Sequence, residues 1–457
     1  MGSVTRIVIF LLAATALWSP DAHAATLQDI FRQALAGDPM LGSANYLRQD
    51  AEGDKDATCG RLWPQIAAPG SYTSYDQDSA GSILSQDSAN TNAEIEGQQA
   101  RIGVALNQTL FDMPKFAACR AARIGIDRGN TSYEMELENL IQRVVQAYTD
   151  VLAARDRLDA AQVGLVLHRA LLDEAERSFK TKTASRLDLD TAKEHFKDAE
   201  AEKLAAENAL DIAELRLADI AGMDMPPTEL ARIKPDAALP TPQPADPAYW
   251  GDMAEKGNLK LLDSAMGVEA ARYGVKEAYG AMWPTVGLFA AHTEYYNDLN
   301  RIGAPLSSDD GNFNGDAMGV RMNLPLFAGG SNKGAASAAE NRYKAAQRQH
   351  EALRREIRLG AREALSGLLS VKAEIEAAEA SVQAARTAYD AAKEGVKAKT
   401  ETETDALETR SNLLKAEEKL NLARYAYVLG IVEFWKSIGA LSAGSIDEIE
   451  SWLAQSE

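Results

Sequence analysis

The sequence predicts a mostly α-helical protein with added membrane β-structure. Each chain supplies long coiled-coil helices for the wall of a tube, and four β-strands, in two tandem structural repeats. Three observations predict this: a set of landmarks that occurs twice, heptad seams running through both halves, and paired strands with one apolar face.

The duplication comes first, because an internal repeat decides the architecture. Trp63-Pro64 returns as Trp283-Pro284, 220 positions on. Asn107 and Leu110-Phe111 return as Asn323 and Leu326-Phe327, 216 positions on. Lys182-Thr183, Asp188 and Gly222 return as Lys399-Thr400, Asp405 and Gly439, all at 217. Residues 225–247 hold seven of the 15 prolines. Proline removes a donor and breaks helix, so an extended linker is expected there. Four segments follow: a leader over 1–24, repeat 1 over 25–224, the linker over 225–247 and repeat 2 over 248–457.

The leader has Arg6 before an apolar run from Ile7 to Trp18, then Pro20 and the small-x-small site Ala22-His23-Ala24. That is the pattern of a secretory signal cleaved after Ala24. Ala25, not Cys, would then begin the mature chain, so no lipid anchor of that kind is expected. The run is too short to span a bilayer, and no later window suits a transmembrane helix.

The helices repeat every seven residues. Leu137, Val144, Val151, Leu158, Leu165, Leu172 and Phe179 form one seam, with Leu140, Ala147, Ala154, Ala161, His168 and Ala175 three positions on. Ala361, Leu368, Ile375, Val382, Tyr389 and Val396 repeat it in the second half. Such a/d seams mark coiled-coil packing, and alanine at one seam position implies close approach. One helix is expected from about Phe116 to Phe179, flanked by Leu27–Arg61 and Leu187–Ala221. The second half repeats this with Asn332–Val396, Tyr249–Ala281 and Thr404–Gly439. A long helix of 64 residues reaches about 96 Å at ~1.5 Å per residue. Two short helices stacked end to end match that length.

Ala100, Ile102, Val104 and Leu106, like Met318, Val320, Met322, Leu324 and Leu326, alternate with small or polar residues, the period of a strand. Pro64–Tyr75 and Pro284–Tyr296 are the expected partner strands, with polar loops near 76–97 and 297–315. Trp63, Phe111, Trp283 and Phe327 gather at one end of these strands, and Tyr72, Tyr75, Tyr295 and Tyr296 at the other. Two aromatic girdles fit a membrane barrel; the aromatic core of a soluble sandwich is the competing reading. Four strands cannot close a barrel, and an open edge is not tolerated in lipid. Several chains must therefore share one.

At this point the mature chain resembles the outer-membrane efflux protein (TolC) family. The likeness rests on the two Trp-Pro strand openings, on Leu324 to Gly330 (LPLFAGG) and on Leu187-Asp188 and Thr404-Asp405. Ala423-Arg424-Tyr425-Ala426-Tyr427 completes it. The resemblance implies a homotrimer with a shared 12-stranded β-barrel and a 12-helix tube, set in outer-membrane lipid and extending into the periplasm. It also implies a periplasmic adaptor (membrane fusion) protein and an inner-membrane pump, ABC-type or proton-driven. Without a lipidation Cys, the chain looks most like the outer-membrane component of type I secretion, exporting a polypeptide. Small-molecule efflux by the same fold is the alternative, and a periplasmic coiled-coil adaptor or structural protein the next.

By resemblance, Asp405 and Glu408, three apart on one helix face, match acidic rings of a periplasmic gate, and Asp188 matches the tip acid of the first half. Clustered carboxylates raise one another's pKa and favour cations; capping acids on a solvated face are the plainer reading. The tips depart from the family. Lys182 and Lys399 stand where a turn glycine is usual, and Glu401 where an arginine is common. Arg186 and the two lysines could supply other closing pairs.

Cys59 and Cys119 are expected at similar depth beneath one hairpin. A disulfide, within or between chains, competes with two buried thiols. No nucleophile elbow, phosphate loop or HExxH motif occurs, and His23, His168, His195, His292 and His350 are scattered. No catalysis, cofactor or metal is assigned. A formal net charge of −19 argues against nucleic acid as a partner.

Overall fold

The computed structural model describes residues 26–80, 92–224, 230–235, 237, 239–302 and 311–454. The leader expected over 1–24 lies outside the described residues. In chain order the elements are helices α1 (Leu27–Gly37) and α2 (Pro39–Gly60), and strands β1 (Gln65–Ala67), β2 (Gly70–Ala80) and β3 (Asn92–Phe111). Helices α3 (Met113–Lys180), α4 (Arg186–Ala221), α5 (Pro247–Gly257) and α6 (Leu259–Gly280) follow. Strands β4 (Thr285–Ile302) and β5 (Gly311–Asn323) lead into α7 (Ser331–Ala398), α8 (Glu403–Ile438) and α9 (Gly444–Trp452).

The long helices α3 and α7 have 68 residues each and run uninterrupted for about 102 Å at ~1.5 Å per residue. The seams bury at mid-height and open toward the tip, where Leu158, Leu165 and Val382 are half-buried and Phe179 is exposed. Val144 and Val151 are fully buried, as are Ala361 and Leu368. Toward the sheet, α3 packs between α2 and α6; toward the other end, it packs between α4 and α8. Helix α7 packs on α6 and then on α8. Each long helix therefore lies beside stacked short ones, and the four-helix wall has the same order from end to end.

The expected single helices Leu27–Arg61 and Tyr249–Ala281 are each two. Asp38 ends α1 by donating its N–H to Ala34 O at 2.8 Å, and starts α2 by accepting from Leu41 N at 2.7 Å. Pro39 then fits the first helical position. Asn258 repeats the device, donating to Ala254 O at 3.0 Å and accepting from Lys260 N and Leu261 N. These breaks let α1 and α5 leave the wall at mid-height.

There they meet the linker and α9, a helix in what the sequence leaves as a C-terminal tail. Ile233 bridges Leu453, Tyr148 Oη donates to Ala231 O at 2.8 Å, and Arg424 donates to Pro235 O at 2.7 Å. Leu27, Ile30, Phe434, Ile446 and Trp452 fill the space behind. These segments form a clasp across one face of the wall.

At the upper end the strands form one antiparallel sheet in the order β1–β3–β4–β5, with β2 also paired to β3. The expected first strand is split at Ala68-Pro69, because proline cannot donate to the ladder. Strands β3 and β4, of 20 and 18 residues, continue into the positions read as loops. The last strand ends at Asn323, before Pro325, so Leu326 and Phe327 lie outside it. Loop residues 81–91 and 303–310 are outside the described residues. No helix among the described residues is long and apolar enough to cross a membrane.

Cys59 of α2 and Cys119 of α3 are joined by a disulfide within the chain. It closes a 60-residue excursion through the first hairpin. Alkylation of the unreduced protein should add no label to either cysteine. C59S/C119S should lower stability by about 2–4 kcal/mol in denaturant melts.

Glu138 of α3 is 7% exposed, and faces Lys436 and Lys260 without a hydrogen bond to either among the described residues. Burial pushes its carboxyl up to about 7, against the opposing pull of Lys436. The folded chain thus binds this proton more tightly than the unfolded chain does. The resulting stabilisation is full below the ordinary glutamate range and is lost as pH rises through about 7. E138Q should therefore melt above the wild type at pH 8 and close to it at pH 5.

Candidate functional site

The helix tips are built twice on one plan. Lys182 and Lys399 have φ of 60° and 61°, the left-handed conformation that glycine adopts without penalty. Each closes its long helix by a Schellman-type turn. Thr183 N donates to Ser178 O and Thr400 N to Gly395 O, both at 2.9 Å. After each turn stands a capping box. Ser185 Oγ accepts from Asp188 N at 3.2 Å, and Asp188 Oδ2 accepts from Ser185 N at 2.8 Å. Thr402 and Asp405 repeat this at 3.1 and 2.9 Å.

The capping bonds set the charge state of both aspartates. Backbone and hydroxyl donors of Ser185 hold Asp188 below the usual carboxylate range, and those of Thr402 do the same to Asp405. In one chain, then, these acids are favoured in the ionised form, opposite to the rise expected from clustering. Asp188 and Asp405 also sit on helices separated by α3, so a single chain does not cluster them. Glu408, one turn beyond Asp405, is exposed.

The expected closing cations are placed differently. Arg186 pairs with Asp190 of its own helix at 3.5 Å. Lys182 and Lys399 are exposed turn residues with no ion pair among the described residues. Glu401 lies over Gly395, within its own turn. The link between the two halves' tips is instead Thr404 Oγ1 donating to Glu174 at 3.1 Å. Higher up, His168 stacks near His195 at 5.8 Å between ring centroids.

The sheet sorts its side chains by parity. One face carries Ile66, Tyr72, Ile102, Val104, Leu106, Leu288, Met318, Val320 and Met322, with His292, Glu294, Asp316 and Tyr296 farther along. The opposite face carries Ser71, Thr73, Arg101, Gly103, Asn107, Phe289, Thr293, Tyr295, Phe313, Gly319 and Arg321. The first is an apolar band with a polar margin; the second is polar, small and aromatic.

The aromatic residues expected as two girdles divide between the two faces and the strand ends. Phe111 stacks on Trp283 at 6.3 Å. Trp63 is 71% and Phe327 88% exposed, both beyond the strands. Tyr72 and Tyr296 share the apolar face. Tyr295 does not; it stacks on Phe313 at 4.5 Å on the opposite one. Neighbouring residues on a strand cannot share a face. The Tyr75 side chain lies outside the described residues. Sequence reasoning missed Arg101 and Arg321, although their parity opposite Ile102 and Val320 was the signal.

With this geometry in hand, the comparisons are specific. The model of the Outer membrane efflux protein family matches residues 30–223 and 250–439. The alkaline protease secretion protein AprF of Pseudomonas aeruginosa is 24% identical over 349 residues, 74% of this chain and 69% of that protein. The outer membrane protein TolC of Vibrio cholerae is 25% identical over 335 residues, covering 73% of this chain and 72% of that protein. The solved CmeC outer membrane channel of Campylobacter jejuni superposes with a TM-score of 0.72 at 16% identity, over 93% of this chain and 89% of that one.

Exchange of Lys182 and Lys399 for glycine removes the left-handed penalty of about 1 kcal/mol per site. K182G/K399G should slow hydrogen exchange at the tip amides, and T402A should speed it at the start of α8 through a lost cap of about 1 kcal/mol.

Proposed function

The chain belongs to the outer membrane efflux protein family, and on that premise we propose that three copies close into the exit duct of a tripartite export system, with type I protein secretion as its task. Residence in the outer membrane, with extension into the periplasm, follows from the family.

The observation that carries the reading is the sheet whose two borders pair with no further strand among the described residues. Strands β1 and β2 form one and β5 the other, and one face is an apolar band. In lipid every backbone donor and acceptor needs a partner, so the borders must meet those of further copies. Three copies of four strand positions, with β1 and β2 counted as one, make a closed barrel whose apolar face meets lipid and whose polar face lines water. The helical walls then close below it, clasp outward, since a clasp on the inner side would fill the duct.

A periplasmic adaptor and an inner-membrane pump belong to this proposal, because the wall supplies a passage and no source of energy. Polypeptide cargo is favoured over small molecules by the likeness to a relative named for protease secretion. The tip acids Asp405, Glu408 and Asp188, set on α8 and α4, would form rings of three at the periplasmic mouth.

Detergent-solubilised protein should have the native mass of a trimer and give steady single channels in planar bilayers. E408Q removes a mouth charge without touching a helix cap, and should lower cation preference or raise conductance. Monomeric, detergent-independent protein would end the reading. Gene deletion should abolish secretion of one polypeptide; raised drug sensitivity with intact secretion would move the cargo to small molecules.

A further inference from the structure

We propose that the inner face of the barrel is an anion-binding lining, built from Arg101 and Arg321, that engages carboxylate groups of the cargo as it leaves. This rests on the duct reading, which makes the polar face of the sheet the lumenal one.

Among the described strand side chains of that face, Arg101 and Arg321 are the charged groups; just below the strands Asp112 shares a pocket with Arg321, and there it pairs with Lys115 at 3.4 Å. The carboxylates of this part of the sheet, Glu294 and Asp316, are on the opposite face with His292. Both arginines are exposed, and neither makes an ion pair among the described residues.

Each is held by an aromatic ring instead. The Arg101 guanidinium lies 5.5 Å from the centroid of Tyr295, whose ring stacks on Phe313. The Arg321 guanidinium lies 4.9 Å from the centroid of Phe289. Phe289 in turn lies across Gly319, where a Cβ would press on the ring at 3.2 Å. Cation–π contact fixes a guanidinium while leaving its N–H donors unused. A fixed planar fork with free donors suits carboxylate, which it can bind through two parallel hydrogen bonds.

The two arginines also form tiers. Arg321 is registered with Gly287 and Arg101 with Tyr295, eight positions apart on β4, or about 27 Å along the strand at ~3.4 Å per residue. Threefold assembly gives two rings of three positive charges. An extended acidic peptide of eight or more residues can touch both.

Isothermal titration of decaglutamate into the full-length trimer in detergent, at about 50 mM salt to limit screening, tests the proposal. The wild type should bind. R101Q/R321Q should bind at least about tenfold more weakly, and R101K/R321K, which keeps the charge, should fall between them. Native mass of each variant reports assembly. Equal affinity in wild type and R101Q/R321Q trimers, or no binding by the wild-type trimer, overturns the proposal. Citrate is titrated in parallel; arginine-dependent binding of citrate without that of decaglutamate assigns the lining to small organic anions. A monomer in the same detergent refutes the duct itself, so the two failures are separable.

Discussion

The wall depends on two joints at mid-height where short helices stack end to end. Gly439 ends α8 with φ of 69° and abuts Gly257 at the end of α5; a Cβ on Gly439 would strike the Gly257 carbonyl, and one on Gly257 the Ile438 carbonyl. At Gly439 glycine is required for the turn and again for the close approach. Gly222, with φ of 67°, faces Gly37 at the end of α4, where a Cβ would make only ordinary contact at 3.9 Å, so there glycine serves the turn alone. Because the short helices meet end to end, two of them keep pace with one long helix, and the heptad seam of α3 is buried through mid-height at Val144 and Val151 and again at Leu172.

The same joints release chain for the clasp. Helices α1 and α5 step out of the wall there, and the linker and α9 close over them. Arginines of α7 receive α5, Arg358 pairing with Asp252 at 2.7 Å and Arg354 with Glu255 at 3.2 Å. On α3, Asp156 accepts from Tyr425 at 2.8 Å and Asn421 at 3.0 Å, so a buried carboxylate is satisfied across the two repeats. Burial still raises its pKa, with these donors opposing the rise. The mid-height region therefore binds repeat to repeat through polar contacts as well as apolar packing, while the tips carry little beyond their caps.

The candidate site was legible unevenly. The tip positions could be found because the duplication aligned Lys182 with Lys399 and Asp188 with Asp405. Their chemistry could not. A capping box lowers the pKa of an aspartate that a ring of acids would raise, and which effect dominates depends on how many copies surround it. The aromatics were read as two girdles from their spacing, but spacing gives height and not face, so Tyr295 was grouped with Tyr296. Alternation marks the apolar stripe and leaves the arginines of the opposite face without a signal of their own.

By itself the sequence determined the duplication, the lengths of α3 and α7, and the presence of paired strands. Those features are local: a heptad or a two-residue period needs only its own side chains to be recognised. The course of the chain at Asp38 and Asn258, the mid-height clasp and the reach of β3 and β4 beyond the apolar band were decided by tertiary structure. Pro39 after Asp38, and the cap residue Asn258 after Gly257, mark a stop locally, but Arg143 pairing with Asp38 at 3.0 Å and Asn258 donating to Ser437 O at 3.0 Å fix the direction the chain then takes. Contacts from distant segments choose that direction, and neither propensity nor period contains them.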